Sequence, residues 1–353
     1  MSQSPPRPIP PDEPYGPFPA DCSPPAPPRT LGSLLYNHNP FYVISAVLML
    51  YALRSLYGVL EIGSINCWIM MSVLAGYTAL LAGIGVLIVR WGGVWEDARS
   101  IFVVVLLLFL AVSVSADDLF VKMESPGGAA TLLLLGYLFS AGVTELVLRG
   151  SRLGMGRLYR IPLHLMLALF YLAPWLCASL LEENRLTELQ WRIFAFPVVA
   201  AVLLLTLVPA TRLGPAYADD NGSPWRWPLY PWTAFGAITL AVALRTFALC
   251  MTFGPTGPIW VRLPASSVSA SPRLAISFDT MWGPYFLIPL VVAVLILYFE
   301  AGLATGNRPL VRRVLTLAPL TLLLAVPWSS GPVHWAFLRE VTARLGSPLW
   351  LSV

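Results

Sequence analysis

The chain has 353 residues, of which 57% are hydrophobic and only 11% charged, and it carries a net charge of +4. Soluble domains need roughly 25% charged residues to cover a water-facing surface, so this composition excludes a water-soluble globular protein. The small positive charge is spread over short segments, which excludes a nucleic-acid-binding face.

Residues 1–30 run from Pro5-Pro6-Arg7-Pro8 to Pro24-Pro25-Ala26-Pro27-Pro28 without apolar periodicity. Proline donates to neither helix nor sheet, so a disordered, polyproline-II-like tail is expected. It lacks the charged start, apolar centre and cleavage site of a signal peptide. From residue 31 to 332 the composition predicts an all-α, polytopic transmembrane helical bundle. Apolar runs long enough to cross about 30 Å of hydrocarbon fall at residues 41–58, 68–89, 101–121, 129–148, 161–181, 193–210, 232–253, 284–305 and 311–328. Nine spans are therefore expected. They must be helices, because an open strand in lipid leaves its backbone groups unpaired.

Most joints between spans carry turn chemistry, such as Gly92-Gly93, Ser125-Pro126-Gly127-Gly128 and Gly306-Asn307-Arg308-Pro309. Longer loops cover residues 211–231 and 254–283. Residues 333–353 read as an amphipathic interfacial segment, with Leu338, Val341 and Leu345 near one face and Arg339 and Glu340 towards the other.

Alternate loops differ in basic content. With a cytoplasmic N-terminus, the inner segments hold Arg7, Arg29, Arg90, Arg99, Arg149, Arg152, Arg157, Arg160, Arg212, Arg226, Arg308, Arg312 and Arg313. The outer ones hold Lys122, Arg185, Arg192, Arg262, Arg273, Arg339 and Arg344. The positive-inside rule then places the N-terminus in the cytoplasm and the C-terminus outside, in a cell membrane of the bacterial inner-membrane kind. Trp68, Trp91, Trp95, Trp191, Trp232, Trp282 and Trp328 fall near span ends, at headgroup level.

Small residues recur at helical spacing as Gly136, Ser140 and Thr144, and as Gly76, Ala79 and Gly83, a pattern that lets helices approach closely. Pro174, Pro197, Pro289 and Pro319 predict kinks.

A few charges lie where lipid excludes them. Arg54 and Arg245 sit in similar words, Ala52-Leu53-Arg54 and Ala243-Leu244-Arg245, inside the first and seventh spans. A bare charge at mid-membrane costs at least about 2.5 kcal/mol, so partners or snorkelling are required. Asp117 and Asp118 end the third span at matching depth. The expected cluster is Arg54, Arg245, Asp117 and Asp118, either locking the bundle or receiving an anionic headgroup or small anion. Towards the inner side lie Glu145, His164 and Glu300. Glu145 is expected to pair with Arg149 and Arg152, and a carboxylate facing an imidazole is the alternative of a proton carrier.

Cys22, Cys67, Cys177 and Cys250 are scattered, as are His38, His164 and His334. They suggest neither a disulfide framework, a zinc site nor a bis-histidine haem. No cofactor or metal is expected, no nucleotide or hydrolase fingerprint occurs, and no catalytic residue is legible. The expected partners are the lipid bilayer and other membrane-protein subunits. The leading functional expectation is a non-enzymatic subunit or scaffold of a membrane complex. The alternatives are a transporter or channel for a small anionic or amphiphilic solute, and a transferase acting on a lipid-linked substrate through Asp117, Asp118 and Glu61.

Overall fold

The computed structural model describes residues 41–57, 64–120, 126–182, 186–218, 230–253, 284–325 and 339–344, together with Gly346. The chain divides into two units, Met1–Asn37 and His38–Val353, and every described residue belongs to the second. The expected Pro-rich tail lies outside the described residues, as does most of the two longer loops and of the C-terminal segment.

Among the described residues the main α-helices are, in chain order, α1 (Phe41–Tyr57), α2 (Ser64–Gly92), α3 (Trp95–Phe120), α4 (Pro126–Gly150), α5 (Arg157–Glu182), α6 (Leu186–Leu205), α7 (Val208–Arg212), α8 (Trp232–Phe253), α9 (Ile288–Ala304) and α10 (Arg308–Leu317). Short 3-10 segments occupy Pro215–Tyr217, Pro284–Leu287 and Ala318–Ala325. No strand occurs among the described residues.

Among the described residues six stretches are long and apolar enough to cross a membrane: Trp68–Gly92, Arg99–Asp117, Ala130–Gly150, Arg157–Ala178, Glu188–Arg212 and Trp232–Cys250. They match the second to seventh expected spans. The first and eighth expected spans form shorter apolar helices, Val43–Ala52 and Ile288–Ala304. The ninth does not form one continuous helix. Its first part is α10, which carries Arg308, Arg312 and Arg313 on its exposed side, and its second is the 3-10 segment Ala318–Ala325. Pro319 supplies the reason, since it has no N–H for the Leu315 carbonyl one turn earlier.

Hydropathy alone ranks these helices as similar; packing separates them. The membrane-length stretch of α3 is 78% buried, because α2, α5, α8, α4 and α1 all pack on it. Its buried side chains lie all round the helix, from Ile101, Phe102 and Val105 to Val112, Val114 and Ala116. On α2 and α4 the apolar residues that face away from the protein stay exposed, among them Leu80, Leu87, Leu134, Leu135 and Leu138. A soluble monomer rarely tolerates so extended an apolar exterior, whereas hydrocarbon is its natural solvent.

Glycine and proline set the joints. Gly93 turns α2 into α3 at φ +65, and Gly306 turns α9 into α10 at the same φ, which costs a residue without Cβ little. Asn307 then caps α10 by accepting from Leu310 N at 3.1 Å. Pro209 leaves the Leu205 carbonyl without its helical donor. The ladder accordingly tightens to Thr206 N→Leu203 O and Leu207 N→Leu204 O before α7 resumes. Pro174 and Pro197 lie inside α5 and α6, whereas Pro289 occupies the first turn of α9, where its missing donor is no loss.

One of the two small-residue stripes packs as expected. A Cβ on Gly136 would lie 2.4 Å from the Tyr171 ring, so α4 closes on α5 through an aromatic slot. On α2 a Cβ at Gly76 or Gly83 would meet nothing within 4 Å. The close approach there is at Gly85, against Ile101 of α3, one helical face away from the expected stripe.

Contacts gather one set of helix ends together. Gly150 of α4 abuts Val86 of α2, Glu145 of α4 reaches α5, and Arg212 of α7 reaches Glu300 of α9. Tyr230, just before α8, donates to Gly154 O between α4 and α5 at 2.7 Å. Arg90, Arg99, Arg149, Arg152, Arg157, Arg160, Arg212, Arg308, Arg312 and Arg313 all belong to this basic end. At the opposite end, residues 339–344 form a helical turn that buries Val341 beside Phe286, Trp191 and Phe194. Trp191 Nε1 donates to Glu340 there at 3.1 Å, with Arg344 over the indole at 5.2 Å.

Candidate functional site: a buried ion pair and a basic-end carboxylate cluster

Arg245 and Asp117 lie on helices that the sequence separates by 128 residues and the fold brings face to face. α3 is enclosed by the bundle, so a carboxylate one turn from its end stays inside it. The two side chains are fully buried, at 0% exposure each. Both terminal nitrogens of the guanidinium donate to the carboxylate, Nη1 to Oδ2 and Nη2 to Oδ1. This two-pronged geometry is the strongest available to the pair.

Nη2 also donates to the Phe170 carbonyl of α5 at 3.1 Å, with the Ser113 carbonyl of α3 at 3.5 Å. The first of these contacts has a cause in the sequence. In an unbroken helix the Phe170 carbonyl would accept from residue 174, which is proline and has no N–H. Pro174 thus exposes an acceptor inside the bundle, and Arg245 satisfies it. The guanidinium joins three helices, α3, α5 and α8. Its Nε has no hydrogen-bond partner among the described residues.

The expected cluster therefore forms in part. Arg245 and Asp117 meet and neither snorkels. Arg54 lies on α1 and Asp118 on α3, but their side chains lie outside the described residues.

At the basic end Glu145 gathers two arginines and a histidine. Arg160 Nε donates to Oε1 at 2.7 Å and its Nη2 to Oε2. Arg149 Nε donates to Oε2 at 2.9 Å, and His164 Nε2 lies 3.1 Å from Oε1. Glu145 and His164, anticipated from sequence at similar depth, do come together. Of the two expected arginines Arg149 is a partner, but the closer one is Arg160, reached across the α4–α5 turn. Glu300 stands apart: Arg212 binds it through both prongs, Nε→Oε2 at 2.9 Å and Nη2→Oε1 at 2.7 Å.

An aromatic group seals the same end. Tyr159 packs on Tyr217, Trp232 and Phe235 with ring centroids 5.6, 6.2 and 6.2 Å away. The Tyr217 hydroxyl accepts from Leu158 N at 3.4 Å, one of the N–H groups that a helix start leaves over. Burial raises the pKa of the Tyr230 phenol, which keeps it a neutral donor to Gly154.

Glu145→Ala is expected to lower stability by about 1 kcal/mol, because its partners are partly solvated and exposed ion pairs contribute little. A thermal melt in one fixed detergent would measure it, and a loss as large as that at Arg245 would contradict this ranking.

Among the described residues no group of three or more His, Cys, Asp or Glu side chains is arranged to hold a metal ion. Cys177 and Cys250 are buried free thiols. No family model, curated protein or solved structure matches this chain. Its chemistry must be read from its own residues.

Proposed function

We propose that this integral membrane protein is a non-catalytic subunit or scaffold of a membrane complex. The observation that supports this most directly is the Arg245–Asp117 pair, which is wholly buried and bonded to three helices. A solute receptor would keep the arginine's charge for its ligand. Here the carboxylate already neutralises it, which counts against the transporter reading. A metal-dependent transferase would need free Asp117 oxygens, and both accept from the guanidinium. Function then rests with the surfaces of the bundle, which present apolar faces to lipid and neighbours and arginines at one end.

In this proposal the chain crosses the membrane nine times, with the N-terminus in the cytoplasm of a bacterial cell and the C-terminus outside. The concentration of arginine at one end of the described helices favours that orientation. Single cysteines at Arg152 and Arg308 are expected to react with a membrane-impermeant maleimide only in inverted vesicles, and one at Arg344 only in right-side-out vesicles. The reverse pattern would overturn the orientation.

Purification from native membranes after mild crosslinking tests the subunit reading. The expected result is one discrete assembly containing a fixed set of other membrane proteins. A monodisperse chain with no crosslinked neighbour, whose reconstituted vesicles take up a small anion, would overturn it in favour of transport.

A further inference from the structure

The buried polar atoms between α4 and α5 form a pattern that the ion pairs do not explain. Gly136, Ser140 and Thr144 lie one turn apart on the face of α4 that meets α5. On α5, His164 and Tyr171 lie two turns apart on one face, about 10 Å along the axis. At one end of this seam stands the Glu145–His164 contact of 3.1 Å. At the other, Tyr171 directly follows Phe170, whose carbonyl accepts from Arg245 Nη2 at 3.1 Å.

Several polar atoms along the seam are sealed and unpartnered. Thr144 Oγ1, the Tyr171 hydroxyl, Arg245 Nε and His164 Nδ1 have no hydrogen-bond partner among the described residues. Thr144 and Arg245 are 0% exposed and Tyr171 1%. The Ser140 hydroxyl donates to Gly136 O and Tyr137 O of its own helix, at 3.1 and 3.0 Å. Its lone pairs remain available to a further donor.

Buried polar groups left without protein partners are ordinarily satisfied by internal water, which takes two to four hydrogen bonds in such a place. The apolar core does not share this pattern: Phe102, Phe109 and Val105 carry no polar side-chain atom and are equally buried. Of the other buried hydroxyls without a partner among the described residues, Ser151, Thr233 and Thr252 lie at helix ends, whereas Thr144, Tyr171 and His164 lie on the two helices of the seam and Arg245 lies on α8 beyond its Tyr171 end.

We propose that the α4–α5 seam binds a row of about three internal waters, spaced at hydrogen-bond distance over its 10 Å length. The waters bridge Thr144, Ser140, Tyr171 and Arg245 Nε, and they join the basic-end Glu145–His164 pair to the sealed Arg245–Asp117 pair. The seam opens at the partly exposed His164, so its waters exchange with bulk solvent at the basic end. This inference is independent of the scaffold reading, since a hydrated seam serves an inert bundle and a transporting one alike.

Synchrotron hydroxyl-radical footprinting of the full chain in nanodiscs tests it, because radicals formed from a bound water oxidise the side chains beside it. Corrected for intrinsic reactivity, Tyr171 is expected to be oxidised at least about tenfold faster than Phe102, although both are buried. Ser140→Ala with Thr144→Val should reduce the Tyr171 rate at least about threefold and leave exposed Trp91 unchanged. Rapid mixing with oxygen-18 water before the pulse should place the heavy isotope on Tyr171. A Tyr171 rate equal to that of Phe102 in the unaltered protein would overturn the proposal, and that comparison needs no variant to fold. So would a rate that the double substitution leaves unchanged, or a product free of oxygen-18 after prolonged mixing.

Discussion

Arg245→Leu is expected to destabilise the bundle by about 3–5 kcal/mol, the cost of leaving a buried charge without its partner. Asp117 is 0% exposed and its two oxygens accept from this guanidinium. With the guanidinium gone, the carboxylate must shed its charge, draw in water or pull α3 towards the surface. Asp117→Leu should be as harmful, for it strands a cation that cannot be deprotonated. The magnitude belongs to the orphaned group and not to the bond. Polar contacts between membrane helices average only about 0.6 kcal/mol when both partners are removed in a cycle. The double variant Asp117→Leu/Arg245→Leu is therefore expected to recover most of the loss, leaving chiefly the Phe170 carbonyl without its donor. Thermal unfolding of all four proteins in the same detergent decides the matter. If the double variant melts as low as the worse single one, the pair does not act as one unit and the scaffold argument loses its main support.

Composition made the membrane environment legible, and apolar run length located the six helices among the described residues that are long enough to cross. Periodicity could not rank them. α3 is enclosed by five neighbours while α2 and α4 face outward, and in lipid both kinds of helix are apolar all round, so the usual amphipathic stripe vanishes. The eighth and ninth expected spans were harder for another reason. Residues 308–317 contain three arginines beside leucines and valines, a mixture that a long averaging window hides and a single helical turn reveals.

Intramembrane charge was a better guide to the site. Arg245 and Asp117 stood out because lipid makes each intolerable alone, and shared depth paired them correctly. The Phe170 carbonyl was missed although its signal was present. Pro174 deprives residue 170 of a donor by rule, and a freed acceptor inside a bundle invites a cation. Arg160 as the nearer partner of Glu145 depended on how the α4–α5 turn folds back, which residue spacing does not encode. The partnership of Arg212 with Glu300, 88 residues apart, likewise awaited the packing of α7 on α9.

Gly136→Val should lower stability by about 1–3 kcal/mol, the usual cost of overfilling a packed interior. A Cβ at this position would sit 2.4 and 2.5 Å from Cδ1 and Cε1 of the Tyr171 ring, well inside contact distance. The ring cannot swing aside freely. It is 1% exposed, and its neighbour Phe170 is tied through its carbonyl to Arg245. Strain at Gly136 is thus passed to the helix that carries the ion pair. Gly142→Ala provides the contrast on the same helix: its Cβ would meet nothing within 4 Å, and replacing a helical glycine gains up to about 1 kcal/mol. Tyr171→Leu should relieve much of the Gly136→Val defect, since the shorter side chain vacates the slot. Melting temperatures of the two glycine variants, and of the paired variant with Tyr171→Leu, form the test. Equal effects at Gly136 and Gly142 would mean that α4 does not close on α5 through this ring. The α4–α5 contact that aligns His164, Thr144, Ser140 and Tyr171 would then need another basis.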